Sequence, residues 1–187
     1  MKTLRKKIAA FTLIELLVVI SIIAVLASLA LPAVTGALTK GQITQTTSNY
    51  RQLYVLTQAA SLDSQQGGGA GAFPGDVGGG TAWSNALVPA YCTAQTFGNL
   101  YNVKGSNANT LYWNVTTSAE PSAVFLTVKG VTANSNSISY DGTGPYQAKG
   151  GAVVTVSGSA VSFVGTNSAV MTNGTITGGT NTAGNTL

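Results

Sequence analysis

The chain has 187 residues, of which 44% are hydrophobic and only 7% are charged, with one cysteine and no histidine. Catalytic triads and zinc sites are assembled mostly from His, Cys and acidic side chains, so this composition argues against an enzyme and predicts no cofactor. Four of the nine bases stand in the first ten residues, so beyond them five bases (9 − 4) balance five acids and no basic cluster indicates nucleic-acid binding.

Residues 1–10 form a short basic leader. Its four bases are Lys2, Arg5, Lys6 and Lys7. Residues 11–31 are almost entirely apolar, and as a helix rising about 1.5 Å per residue they cross the roughly 30 Å hydrocarbon core of a bilayer. Because basic flanks stay in the cytoplasm, we predict a single-pass segment with a cytoplasmic amino end and with the residues after Pro32 outside.

Glu15 interrupts this apolar run. A charge at the centre of a bilayer costs roughly 2.5 to 3.5 kcal/mol on insertion scales, so a retained acid indicates a specific partner. Two alternatives are a secretory signal peptide cleaved near residues 28–30 and a plain signal anchor. Neither explains Glu15, and the core of a secretory signal is shorter, about 7 to 15 residues.

Residues 10–20 read Ala-Phe-Thr-Leu-Ile-Glu-Leu-Leu-Val-Val-Ile. This segment resembles the prepilin cleavage and methylation motif of type IV pilins and type II secretion pseudopilins. The resemblance implies that a prepilin peptidase cuts between Ala10 and Phe11 and that the new Phe11 amine is methylated. It also implies that Glu15 pairs with the amine of a neighbouring subunit. The family usually has Gly before the cut, but Ala is the next smallest side chain, so we expect cleavage to survive.

The resemblance further implies a cellular location and a set of assembly partners. The chain would be inserted in the bacterial inner membrane, with lipid around its apolar segment, and then assembled by inner-membrane machinery. The product would be a homo-oligomeric filament in the periplasm or on the cell surface.

Pro32 cannot donate an amide hydrogen bond to the Ser28 carbonyl, which predicts a kink or a melted turn. Beyond it, spacings of three and four predict a helical stripe over residues 42–63. Its members are Ile43, Thr47, Tyr50, Leu53, Tyr54, Thr57 and Ala60. We therefore predict one long bent helix over residues 11–63, whose second half packs on a globular head. The alternative is that the membrane helix ends at Pro32.

Residues 64–82 are rich in glycine and predict a linker loop without regular structure, with a turn at residues 73–76. Residues 83–172 predict a β-rich head. Its candidate strands are residues 111–115, 123–128, 137–140, 152–157 and 160–164. Gly158 and Ser159 predict a two-residue type II′ turn between the last two strands. The tail, residues 173–187, has almost no apolar side chains and is predicted to be mobile.

Two isolated residues, Asp141 and Cys92, have side chains that could bind a metal or form a disulfide. Asp141 lies in a turn-like stretch similar to the region where some pseudopilins bind calcium, but calcium needs six to eight oxygens and a lone Asp is more often a turn residue. We therefore predict no metal site and keep Asp141 as a weak candidate. Cys92, the lone cysteine, cannot close an internal disulfide, unlike the cysteines of many pilins.

Together these features predict an α+β, pilin-like fold and a structural filament subunit. Glu15 and the Phe11 amine would set the register of assembly, and Pro32 would provide a flexible segment. The alternative is a monomeric, membrane-anchored binding protein whose head holds a glycan or a protein ligand. The sequence leaves open whether the filament is a surface pilus or a secretion pseudopilus, and whether this subunit is major or minor.

Overall fold

The computed structural model describes residues 11–103, 109–111, 115–134, 137–140 and 143–163. Its contacts divide the chain into two units, Met1–Leu38 and Thr39–Leu187. The predictions for Ala10, for Asp141 and for the tail at residues 173–187 lie outside the described residues.

Helix α1 (Leu13–Gln66) has 54 residues and contains Pro32. The predicted single long helix is therefore confirmed, and the alternative that the helix ends at Pro32 is wrong. Of the two alternatives expected at Pro32, a kink or a melted turn, the melted turn is absent from this helix, because helical structure continues through Pro32. A proline removes only one amide donor, and the Leu and Ala residues around it are strong helix formers. Thr35 Oγ1 donates a 2.9 Å hydrogen bond to the Pro32 carbonyl.

The second half of α1 contributes to the core of the head. Its buried residues are Thr39, Ile43, Thr46, Tyr50, Leu53, Thr57, Ala60 and Ser61. The predicted stripe is confirmed at Ile43, Tyr50, Leu53, Thr57 and Ala60. Thr46 is buried where Thr47 was predicted, so the stripe lies slightly to one side of the predicted position on the same helical face.

The glycine-rich segment is not a featureless linker, and that prediction is wrong. It contains a one-turn helix, α2 (Pro74–Val77), and Phe73 just before it is completely buried. Asp76 Oδ2 accepts hydrogen bonds from the Phe73 amide at 3.1 Å and from both the amide and the hydroxyl of Thr117. These bonds and the burial of Phe73 offset the entropy that the glycines lose on ordering.

Two further helices precede the sheet, α3 (Gly80–Leu87) and α4 (Ala94–Tyr101), so the predicted start of a β-rich head at residue 83 falls inside a helix. Both helices supply the core. The Trp83 ring lies edge-on to Phe97 and Phe125, with centroid distances of 5.4 and 5.8 Å. Eight-residue helices of this kind give a weak periodic signal and depend on tertiary packing.

The head contains a four-stranded antiparallel sheet in the order β1-β2-β5-β6 and a separate two-stranded pair, β3-β4. The strands are β1 (Asn109–Leu111), β2 (Val124–Val128), β3 (Val131–Asn134), β4 (Ser137–Tyr140), β5 (Gly151–Thr155) and β6 (Ala160–Phe163). The predicted strand at residues 137–140 coincides with β4, and those at 123–128, 152–157 and 160–164 correspond to β2, β5 and β6 with shifted ends. The prediction for 111–115 shares only Leu111 with β1, and β3 was missed. Every residue of β2 and β5 is buried, so these central strands show no alternation of buried and exposed positions.

The turn between β5 and β6 differs from the prediction. Thr155 pairs with Ser159, its amide donating to the Ser159 carbonyl at 3.0 Å, so the turn consists of residues 156–158. Gly158 is its third residue, with φ of +81°. This is the arrangement of a three-residue hairpin with a left-handed glycine, in place of a two-residue type II′ turn.

Candidate functional site

The amino end of α1 is closed by two side chains that bond to each other. Glu15 Oε2 accepts hydrogen bonds from the Thr12 amide at 2.8 Å and from Thr12 Oγ1 at 2.7 Å. Thr12 Oγ1 in turn accepts the Glu15 amide at 3.3 Å. Thr12 precedes the first helical residue, so the pair forms a reciprocal capping box.

The capping box gives Glu15 a local partner that the sequence analysis missed. The pattern Thr-x-x-Glu before an apolar run is a recognised signature of a helix start, so the signal was present in residues 12–15. The described hydrogen bonds of Glu15 all use Oε2, which leaves Oε1 to accept a donor from elsewhere. The nitrogen of Phe11 is still an amide in this chain, because residues 1–10 precede it.

The apolar side chains of the first unit face outward. Phe11 is 72% exposed and Leu13 80%. The other exposed large apolar residues of this unit are Ile14, Leu16, Leu17, Val18, Val19, Ile20, Ile22, Ile23, Val25, Leu26, Leu29, Leu31, Val34 and Leu38. A contiguous apolar surface of this size marks a contact with a membrane or with other protein.

The same helix meets the requirements of a membrane span. Its most apolar 18-residue window has a mean hydropathy of 2.8, and none of that window is buried inside the structure. Pro32 lies within α1 in this unit, so the structure places Glu15 and Pro32 on one helix, and Phe11 lies two residues before its first residue.

The described residues of the head bring few reactive side chains together. Within the described residues there is no group of three or more His, Cys, Asp or Glu side chains that could hold a metal ion. Cys92 is a free thiol, and its partial burial raises its pKa, which makes the reactive thiolate scarcer. Tyr91 donates a 2.6 Å hydrogen bond to Asp63, and that bond raises the pKa of Tyr91.

The geometry of the amino-terminal segment agrees with the comparison against protein families. Residues 5–31 match the model of the prokaryotic N-terminal methylation motif. This motif is the signature of type IV pilins and pseudopilins. No curated protein and no solved structure matches the chain. The match supports processing and methylation as in a pilin precursor, and it ends before the second unit begins.

Proposed function

We propose that this chain, which carries the methylation motif of type IV pilins and pseudopilins in residues 5–31, is the precursor of a structural filament subunit and has no catalytic role. The filament would be a type IV pilus or a type II secretion pseudopilus. One observation carries the proposal: Glu15 stands at the amino end of a helix whose large apolar side chains are exposed from Leu13 to Leu38.

The exposed apolar surface needs a partner. Fully burying one Leu, Ile, Val or Phe side chain contributes roughly 1.5 to 3 kcal/mol, so an uncovered surface of this extent is unfavourable in water. We propose that lipid of the inner membrane covers it first, with the leader in the cytoplasm. The same segments of neighbouring copies would cover it after the assembly machinery extracts the subunit.

Glu15 would act after cleavage between Ala10 and Phe11 by a prepilin peptidase. The new Phe11 ammonium group would stand at the helix amino terminus, where the helix dipole disfavours a positive charge. Glu15 is four residues further along the chain, and its Oε1 is available to accept a hydrogen bond. We propose that Glu15 pairs with the ammonium group of a neighbouring subunit and so fixes the register of assembly.

Because Glu15 also caps its own helix, replacing it by Ala would remove two functions together. Glu15→Gln separates them, since glutamine serves at the third position of a capping box but carries no charge. Thr12→Ala makes the opposite change and removes the hydroxyl of the cap while keeping the carboxylate. Filament yield would be measured by electron microscopy and by mass spectrometry of sheared surface material. Cell fractionation would measure the pool of unassembled protein in the membrane.

If Glu15 acts by charge pairing between subunits, Glu15→Gln should lose filaments while the processed protein accumulates in the membrane, and Thr12→Ala should retain most filaments. Wild-type filament numbers in Glu15→Gln would contradict the pairing. Recovery of a normally folded, processed protein that never assembles even in the wild-type strain would favour the alternative, a monomeric anchored binding protein.

We propose that a turn of α1 opens at Pro32 during assembly. The Ser28 carbonyl lacks the amide donor that any other residue at position 32 would provide, which lowers the cost of opening a turn there. Gly36, one turn further along α1, also lowers the free-energy cost of opening a turn, because glycine is a poor helix former. A filament map with an unbroken straight helix through residues 27–36 would rule this out.

A further inference from the structure

The head contains a polar pocket that the filament proposal does not use. It has a volume of about 250 Å³ and lies between the second half of α1, the end of α4 and Tyr146. Five of its lining residues carry carboxamides: Gln42, Gln45, Asn49, Asn99 and Asn102. Thr46 and Tyr146 complete the lining with two hydroxyl groups, and none of the lining residues is charged.

The sequence spacing places these amides together. Gln42, Gln45 and Asn49 follow one another at intervals of three and four residues, so they share one face of α1. Asn99 and Asn102 are three residues apart at the end of α4, and they line the pocket from the opposite side. Two amide-bearing surfaces thus face each other across the pocket.

Hydrogen bonds hold the walls of the pocket in place. The buried hydroxyl groups of Thr46 and Tyr146 bond to each other, and the Tyr146 hydroxyl also donates to the Gln42 carbonyl at 3.3 Å. Asn49 Nδ2 donates to the Asn99 carbonyl at 3.4 Å. Gln147, next to Tyr146, has φ of +52°, which is uncommon for a residue other than glycine and is maintained by the surrounding structure.

One acceptor in the lining is incomplete. The Oδ1 atom of Asn102 is buried and has no hydrogen-bond partner among the residues that the structure describes. Leaving a buried carbonyl oxygen unpaired is unfavourable, and Asn102 Oδ1 would accept a donor from a ligand in the pocket once its side chain turns toward it. Asn102 also lines a second pocket with Phe97 and Tyr101, whose rings offer apolar surface beside it.

We propose that this amide pocket binds the hydroxyl groups of a neutral saccharide. A carboxamide provides two donors and an acceptor, and a sugar hydroxyl is both donor and acceptor, so the two groups complement each other without charge. A phosphate or carboxylate ligand would call for Lys or Arg in the lining, and a cation would call for carboxylates, none of which is present there. The proposal does not depend on filament assembly.

The test uses the full chain, labelled with ¹⁵N and purified in lauryldimethylamine oxide, a detergent whose head group contains no sugar. The probes are methyl glucoside, methyl galactoside and N-acetylglucosamine, with glucuronate as the charged comparison. Each is added up to about 50 mM, because weak specific binding has a Kd on the order of 1 mM. The side-chain NH₂ resonances of Asn and Gln report binding directly at the pocket.

At least one neutral probe should shift the resonances of Asn102 and Gln45 and saturate. Asn102→Ala should weaken that binding at least tenfold, and Gln45→Ala about threefold. Gln52→Ala is the matched control, because Gln52 is also exposed on α1 but lies outside the pocket, and it should leave binding unchanged. Gln45 is exposed, so its variant keeps the test informative if Asn102→Ala fails to fold.

Four results would overturn the proposal. The first is that no neutral probe shifts these resonances. The second is that binding persists unchanged in both the Asn102 and the Gln45 variants. The third is that glucuronate binds more tightly than the neutral sugars. The fourth is that the same resonances shift with protein concentration in the absence of sugar, which would make the pocket a contact between copies.

Discussion

The indole Nε1 of Trp83 donates a 3.0 Å hydrogen bond to Thr57 Oγ1 in the core of the head, and both side chains are completely buried. The same Thr57 hydroxyl donates to the Leu53 carbonyl at 2.8 Å. A hydroxyl in the middle of α1 thus satisfies the indole of α3, which joins two elements of the head through one polar contact.

Thr57→Val should destabilise the head, because it leaves the buried indole N–H without an acceptor at a cost of about 1 to 3 kcal/mol. For a chain of this size each kcal/mol lowers Tm by roughly 2 to 4 °C. Thermal unfolding followed by the near-ultraviolet circular dichroism of the aromatic side chains measures the effect. Thr57→Ser is the control, because it keeps the hydroxyl and should lower Tm by less than Thr57→Val does. Equal Tm values for the two variants would count against the hydrogen bond.

Gly158→Ala should destabilise the hairpin for two reasons. Its φ of +81° is unfavourable for alanine, and an added Cβ would lie 2.4 Å from Cε1 of Tyr54. Gly98→Ala is the matched control in α4, where the added Cβ would meet only Asn102 Nδ2, at 3.7 Å. That change should be neutral or stabilising by up to about 1 kcal/mol. The prediction is wrong if urea unfolding places the two variants at the same midpoint.

The head should lose stability at alkaline pH. Burial raises the pKa of Tyr50 well above its usual value of 10.0, and Tyr101 and Tyr146 raise it further. Tyr50 therefore stays neutral in the folded head while it ionises in the unfolded chain. Stability is fully present below about pH 10 and falls as pH rises from there toward the raised pKa. Tyr50→Phe should flatten this fall between about pH 10 and 11, and an unchanged slope of unfolding free energy against pH would contradict it.

Processing should produce a mature chain that begins with methylated Phe11. Intact mass and the sequence of the terminal peptide measure this directly. Ala10→Gly should be cut at least as fast as the wild type, because it restores the residue that the motif usually has before the cut, whereas a bulky side chain in Ala10→Leu should block cutting. A mature terminus near residue 31 would instead indicate ordinary secretion.

Local signals were enough for some of the fold. The second half of α1 follows a repeat of three and four residues, so its buried face could be read within one residue of the observed stripe. Five of the six described strands were predicted, because runs of β-branched residues are separated there by turn residues. The three-residue turn at Gly158 was missed, because its position depends on the pairing of Thr155 with Ser159 rather than on the Gly-Ser dipeptide.

The remaining features of the head depend on contacts between residues that are distant in sequence. The sequence by itself determined the amino-terminal segment, since the basic leader, the apolar run and Glu15 are neighbours along the chain. Even in this segment, the Thr-x-x-Glu pattern of residues 12–15 was present in the sequence, but the capping box was not predicted from it. Only the tertiary structure ordered the glycine-rich segment, through Asp76 and Thr117, which are 41 residues apart. It also created the amide pocket, where Thr46 and Tyr146 meet across 100 residues. Side chains so distant in sequence leave no periodic signal, because their contact is formed by packing and not by local geometry.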